Sequence, residues 1–477
     1  MPAEPMPADV WPQPVLDLLA DGGDRPVFED GPVVTTASEM AGLIRRITVG
    51  LRSSGVGPGV GVTLDLPVTA AAFAATMAAF AVGARVSGWR ADLSPAQLSG
   101  SLVVDSARLA SLADYPDDGL PFVAAGRAAD PARIIWTSGS TGTPKGVVQT
   151  YAAMSAAWAP YPHRWPPAIA ELATRLQRYL VFGSLASQVM LEYGVLALAA
   201  GGTLVVAPRP VFPDALVEHR ATASVITVGK LHQLIRDHRA NPVDLRHLRA
   251  LMVSGSPLAP GRLAEALDVL GPVVFHGYGQ TETSMIAMVT PAEMLADTAT
   301  LATVGRPAVH VSLRDGEIYV RTPAQASSYW QDPDESAEVF VDGWVRTRDL
   351  GELDANGYLR LLGRAREVII VNAQLVHAGP VERALAADAT VGEAYVVGCP
   401  DEVTGEAVHA FVVAVAGRTP DPDVLRKLVA AQVNDLAVPR TVTVIDRVPL
   451  APSGKPDKRA LAQRVPLQDR GVHADRP

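Results

Sequence analysis

Thr137-Ser138-Gly139-Ser140-Thr141-Gly142-Thr143-Pro144-Lys145-Gly146 follows directly on the apolar run Ile134-Ile135-Trp136. The glycines let backbone N–H groups approach an anion closely. The serines and threonines add hydroxyl donors, and Lys145 adds a positive charge. Such a loop after a buried strand suits a polyphosphate. It differs from the G-x-x-x-x-G-K-[ST] loop, in which the lysine opens a helix; here Lys145 stands between Pro144 and Gly146.

Outward from this loop, short apolar strands alternate with helical segments. Residues 202–207 (GTLVVA), 223–228 (ASVITV), 250–253 (ALMV) and 273–275 read as strands, and residues 231–238 and 261–270 as helices. Alternation of this kind predicts a parallel sheet covered on both faces, with ligands at the C-terminal strand ends. After about residue 305 the pattern changes. Residues 311–313, 317–320, 344–346 and 358–362 are strands separated by turns such as Arg314-Asp315-Gly316, which predicts an antiparallel unit. A last segment carries helices at 380–387 and 421–431 and strands at 394–397, 408–415 and 441–445, a small α+β unit.

The chain has 477 residues, 48% hydrophobic, and a net charge of −9. That exceeds one ordinary domain. It also lacks the basic footprint of a nucleic-acid binder and any polybasic membrane segment. The single cysteine, Cys399, excludes an internal disulfide and a thiolate metal cluster, and reads as a small buried hydrophobe. Residues 66–84 carry no charge but are rich in alanine, so a buried helix is expected rather than a membrane span. No signal peptide is read at the N-terminus, and a cytoplasmic protein is the expectation.

The glycine-rich loop resembles the signature of the adenylate-forming superfamily: acyl-CoA synthetases, aryl-acid ligases, luciferases and nonribosomal-peptide adenylation domains. Further segments resemble the family's motifs in order: Tyr278-Gly279-Gln280-Thr281-Glu282-Thr283, Thr347-Arg348-Asp349, Gly363-Arg364 and Pro452-Ser453-Gly454-Lys455. The resemblance spans about residues 30 to 465. It implies an α/β fold with a large N-terminal domain (1–362) of parallel-rich sheets, helices and a β-barrel-like unit. A hinge (363–366), a small mobile α+β C-terminal domain (367–465) and a flexible tail (466–477) follow.

The same resemblance implies ATP and Mg²⁺, and acyl-AMP formation followed by transfer to coenzyme A or a phosphopantetheinyl carrier protein. A setting in bacterial secondary metabolism is expected. Thr137, Ser138, Gly139, Ser140, Thr141, Gly142 and Lys145 would cradle the phosphates. Glu282 is a hard oxygen ligand suited to Mg²⁺, and Thr281 would donate to the α-phosphate. Tyr278, flanked by Gly277 and Gly279, would offer a flat face to adenine, with Ser254, Gly255 and Ser256 on its other side. Asp349 would accept the ribose hydroxyls and Arg364 would reach the ribose or phosphates. Lys455 would bridge the acid's carboxylate and the α-phosphate, where two anions must meet. Only 22 residues follow Lys455, so a carrier is expected on another chain.

Two regions depart from the family pattern. After the hinge, whose variable position is Arg366, the sequence has Ile370, Ala373 and Ala378 where members commonly have Lys, Gly and Pro. A methyl at Ala373 is expected to narrow the path of a pantetheine arm. In the acid pocket, Gln188 stands near the Asp that pairs with an amino-acid ammonium, which argues against an ordinary α-amino acid. Gln188, Met190, Leu191, Lys230, His232 and His276 are the expected pocket groups, Lys230 for an anionic substituent. A non-thiol acceptor is the alternative: an amide ligase, or a nitrite-activating aryl-amine diazotase. A nucleotide-binding regulator without catalysis is disfavoured, since Lys455, Glu282 and the loop are all present.

Overall fold

The computed structural model describes residues 10–98, 100–119, 122–137, 144–256, 258–365, 367–451 and 455–466. Six strands build the sheet behind the glycine-rich loop. They include β1 (Gly61–Leu64), β2 (Arg85–Gly88), β3 (Ser101–Val104), β4 (Pro131–Thr137) and β5 (Lys145–Thr150). The order runs 328–329, β5, β4, β2, β1, β3. β1 to β4 pair in parallel, whereas β5 returns antiparallel on β4. β4 and β5 are thus an antiparallel pair, and residues 138–143 between them lie outside the described ones.

A second sheet of nine strands contains β6 (Arg178–Val181), β7 (Thr203–Val206), β8 (Ala223–Thr227), β9 (Ala250–Ser254), β10 (Val274–Gln280) and β11 (Ser284–Val289). β6 to β10 pair in parallel, as the alternating pattern predicts, and β11 turns back antiparallel on β10. The helices of this region include α1 (Ala70–Ala81), α2 (Gln188–Ala199), α3 (Val228–Ala240) and α4 (Pro260–Leu270). α1 begins where the Thr69 hydroxyl caps the Ala72 N–H at 3.1 Å. It is apolar on every side and enclosed by the core, as an all-round hydrophobic helix must be in water. Among the described residues no helix is long and apolar enough to cross a membrane.

The third sheet is antiparallel: β12 (His310–Arg314), β13 (Glu317–Arg321), β14 (Trp344–Leu353) and β15 (Leu359–Arg364), with Phe340–Val341 on its edge. The β12–β13 turn places Asp315 and Gly316 at φ +51° and +80°, the left-handed pair a tight hairpin needs. The fourth sheet, β16 (Val368–Val371), β17 (Gln374–His377), β18 (Val391–Asp401), β19 (Gly405–Ala414) and β20 (Thr441–Ile445), carries α5 (Ala378–Ala386) and α6 (Pro422–Gln432) on a core of its own. Cys399 is buried among Val397, Phe411 and Leu461.

Candidate active site

Four chain segments meet at the C-terminal ends of β9 and β10. The first is the hairpin base. Thr137 pairs with Lys145 across it, and Lys145 Nζ lies 2.9 Å from Glu335 Oε1. Lys145 is thus the first residue of a strand. Arg348 also binds Glu335, and reaches Glu338 at 2.9 Å. Burial opposes the charge on Glu335, but the Arg348 and Lys145 hydrogen bonds outweigh it and hold its carboxyl down at about 2. Ser138, Gly139, Ser140, Thr141 and Gly142 of the expected cradle lie outside the described residues, as does Arg366 of the hinge.

The second segment is the β10–β11 turn, which carries Thr281 and Glu282. Gly279 is fixed there by space: a Cβ would lie 2.4 Å from the Ser284 carbonyl oxygen. The Tyr329 hydroxyl donates to Glu282 Oε1 at 2.7 Å. Tyr278 differs from the expected open platform. Its ring is buried with Ile286, Ala287 and Val304, and its hydroxyl donates to Asp349 Oδ2 at 2.7 Å.

Asp349, on β14, is the third contribution. It is 5% exposed and gathers three donors. Besides Tyr278, Gln280 Nε2 donates to Oδ2 at 2.6 Å and Arg364 Nε sits 3.0 Å from Oδ1. Arg364 ends β15, inside the expected hinge (363–366). The proximity of Asp349 pushes the Arg364 guanidinium up against the effect of burial.

Lys455 is the fourth. Its loop is closed by the Ala451 N–H donating to the Lys455 carbonyl at 2.8 Å and by the Leu450–Pro456 bridge. The side chain lies opposite Gly255, where a Cβ would be 3.9 Å from Lys455 Cε. Gly255, between Ser254 and Ser256, holds φ +98°. Loss of hydration there and the Arg364 charge push the ammonium down from its usual range, while Glu282 and Asp349 push it back up. A residue far along the chain thus shares one electrostatic environment with three other motifs.

The expected pocket residues are only partly brought together. Gln188, at the start of α2, donates from Nε2 to Ser284 Oγ at 2.7 Å, tying the pocket helix to the Thr281–Glu282 turn. Met190 is buried, with its sulfur 3.9 Å from the Tyr179 hydroxyl. Lys230 stands apart: its ammonium lies 4.3 Å from the Phe182 ring centroid and 5.4 Å from that of Phe212. Burial there pushes it down from the usual lysine range. His232 faces the C-terminal unit instead of the pocket, with Nδ1 2.7 Å from Glu393 Oε1. His276, beside Gly277, is a core histidine pushed down to about 4 by burial despite a hydrogen bond to the Thr303 backbone. It is neutral at pH 7. Tyr329, Glu335 and Ser284 join the site without any sequence signal beyond their polar type, and Gln280 joins it from within the quoted motif, which gives it no role of its own.

The model for the AMP-binding enzyme family matches residues 101–330, and that for the AMP-binding enzyme C-terminal domain matches residues 380–455. In sequence the chain is 31% identical over 355 residues to the fatty acid–[acyl-carrier-protein] ligase ScoC of Streptomyces coeruleorubidus, covering 70% of this chain and 67% of that protein. It is 33% identical over 356 residues to the indoleacetate–CoA ligase of Aromatoleum aromaticum, with the same coverage of 70% and 67%. In structure it matches the amide bond synthetase McbA from Marinactinospora thermotolerans with a TM-score of 0.80 and 31% identity, over 94% of this chain and 98% of that one. Two family models in chain order, relatives above 30% identity and a near full-length structural match agree with the motif geometry: the chain belongs to the AMP-binding, adenylate-forming enzyme family.

Proposed function

We propose that this enzyme uses ATP to activate a small carboxylic acid as its acyl-adenylate, then passes the acyl group to a thiol of coenzyme A or of a separate carrier protein. One observation carries the reading: the Lys455 side chain approaches Gly255 and its ammonium feels the charges of Arg364, Glu282 and Asp349. In the first step a carboxylate oxygen of the acid bonds to the α-phosphorus of ATP. The bond from that phosphorus to the bridging oxygen breaks, and pyrophosphate leaves with the electron pair. Two anions approach each other, and Lys455 offsets the charge that accumulates between them. Asp349 accepts the ribose hydroxyls, and Ser254 to Ser256 flank the base. In the second step the acceptor attacks the acyl carbon and AMP leaves.

The residues present fit a magnesium ion. Tyr329 holds one Glu282 oxygen, and no cluster of three or more His, Cys, Asp or Glu exists among the described residues. One carboxylate completed by phosphates and water is the donor set Mg²⁺ accepts. When bound, the ion neutralises phosphate charge. Residues 1–362 form the body in this reading, 363–366 the hinge and 367–465 the lysine-bearing unit. Gly363 at φ +138°, packed against Gly379, supports the hinge position. The cytoplasm, which supplies ATP and coenzyme A, is the compartment we assign.

A second acceptor class has its own support. The likeness to an amide bond synthetase and the alanine at position 373 both favour an amine in place of the thiol. ATP–pyrophosphate exchange across aryl, heteroaryl and fatty acids tests the first step, and product analysis with coenzyme A or an amine separates the acceptors. Lys455→Ala is expected to lower exchange by roughly 10²–10³-fold with little change in the KM for ATP. The wild-type rate should also decline with alkalinity below the ordinary lysine range, because the ammonium is pushed down. Undiminished exchange in Lys455→Ala rules out the assigned role.

A further inference from the structure

Arg348 stands between Thr347 and Asp349 on β14 and holds φ +59°. That left-handed backbone suits glycine, and a Cβ there is strained. Strain of this kind clusters at functional sites, where the surroundings hold it in place. Here ion pairs do so. The Arg348 side chain, 14% exposed, binds Glu335 and reaches Glu338 at 2.9 Å. Glu335 is shared. The oxygen that Arg348 binds, Oε1, also lies 2.9 Å from Lys145 Nζ. Lys145 is the one cation of segment 137–146. Two cations thus meet on a single carboxylate oxygen of a side chain that is 15% exposed.

This cluster adjoins the reacting groups. Lys145 Nζ lies 5.6 Å from the Tyr329 ring centroid, and the Tyr329 hydroxyl holds Glu282. Glu335 comes from the first turn of the helix Pro333–Val339, where the Asp332 side chain accepts from its N–H at 3.2 Å. Lys145 is therefore already neutralised. A lysine bound to a carboxylate has to give it up before it can serve a phosphate. The carboxylate left behind then repels that phosphate at short range. Arg348 offsets both effects, because it stays on Glu335 when the lysine leaves and no anion is stranded. Bracing the helix alone would not call for a second cation, since Arg348 already binds two of its glutamates.

We infer that Glu335 and Arg348 are positioning residues for Lys145. Glu335 holds the lysine before ATP binds, and Arg348 takes over the carboxylate when the lysine turns to the polyphosphate. Glu335 thus competes with ATP for Lys145, and Arg348 weakens that competition. Only ion pairs are exchanged, and no covalent bond changes. This rests on the ATP-dependent reading above.

The test measures the Kd for ATP with magnesium by calorimetry, alongside KM and kcat in ATP–pyrophosphate exchange. Glu335→Gln, nearly isosteric, releases Lys145 and should lower the Kd and KM for ATP by about 3- to 10-fold, the worth of a partly screened ion pair. Arg348→Gly relieves the backbone but leaves Glu335 to the lysine alone. It should raise both constants by a similar factor, with kcat little changed. The double variant should bind ATP as tightly as Glu335→Gln does, because the anion that Arg348 restrains is gone. Loss of bracing cannot give affinity changes of opposite sign, nor let one substitution cancel the other. Unchanged or weaker ATP binding in Glu335→Gln overturns the inference. So does a double variant that binds as the wild type does, which would mean that the two effects simply add and that Arg348 acts on ATP directly. If the wild type binds ATP yet exchanges no pyrophosphate with any acid, the acid-activating reading fails while the affinities still decide the inference. If it binds no ATP, both fall.

Discussion

A buried carboxylate keeps its charge at low cost only where donors replace its lost water. Asp349 and Glu192 are the two extremes here. Asp349 has Tyr278, Gln280 and Arg364 around it. Glu192 has an oxygen with no partner, and burial pushes it up to about 7 despite the Arg133 charge. The sign of the consequence is fixed. The folded state keeps the Glu192 proton where the unfolded chain, with an ordinary glutamate, has released it. The contribution of this residue to stability therefore falls as pH rises from about 4.5 to about 7. Relative to wild type, Glu192→Gln should gain on the order of 1–3 kcal/mol in unfolding free energy between pH 5 and pH 8. Denaturant titrations at the two pH values measure it. Equal differences at both would contradict the burial of that charge. His276 works in the opposite direction, losing stability as pH falls toward about 4, but it is common to both proteins and cancels. Glu282, Asp349 and Lys455 are legible in the sequence because each sits in a short segment with its own pattern. Glu192 and Glu335 are not, because what singles them out is the partner they lack or find: Glu335 meets Lys145 from 190 residues along the chain.

At the scale of elements, periodicity names the strands and helices whose apolar runs and turn residues stand out locally, and passes over β1, β2, β3, β6 and β11, whose runs are short. Where an element is named, its ends shift. The strand read at 358–362 is β15, 359–364, and that read at 394–397 is β18, 391–401. Polar residues extend a strand wherever a neighbour supplies the ladder. The hairpin β16–β17 shows what a single departure does. Its turn residues, Asn372 and Ala373, hold φ +50° and +59°, a geometry that favours Asn-Gly. Alanine in the left-handed region is strained by its Cβ, so Ala373→Gly should stabilise the chain by about 1 kcal/mol, read as a rise in the urea midpoint. The same change bears on chemistry. If the acceptor is a pantetheine thiol, thioester formation should rise; if it is an amine, only stability should move.

On the scale of the whole molecule, polar contacts between described residues help fasten the C-terminal unit to the body. His232 Nδ1 meets Glu393 Oε1 at 2.7 Å, and Arg262 Nε donates to the Gly392 carbonyl at 3.0 Å. Burial raises the cost of charge on Glu393, but His232 and the Tyr395 hydroxyl outweigh it and hold the carboxyl below its ordinary range. No sequence pattern announces this contact, because its halves lie 161 positions apart. Glu393→Gln should weaken the fastening by about 1–2 kcal/mol, the worth of a charge-assisted hydrogen bond. Pyrophosphate exchange should then slow several-fold, whereas transfer from preformed acyl-adenylate should not. Equal slowing of both steps would show that the contact serves stability alone. Arg364 adds a consequence. It grips Asp349, the carboxylate assigned to the ribose, and it stands in the proposed hinge. Under the proposed reading of a turning C-terminal unit, nucleotide occupancy and that turn draw on one shared interaction, and thermodynamic linkage makes the effect mutual. In that reading, whatever factor ATP applies to the balance of orientations, a change of orientation must apply to the affinity for ATP.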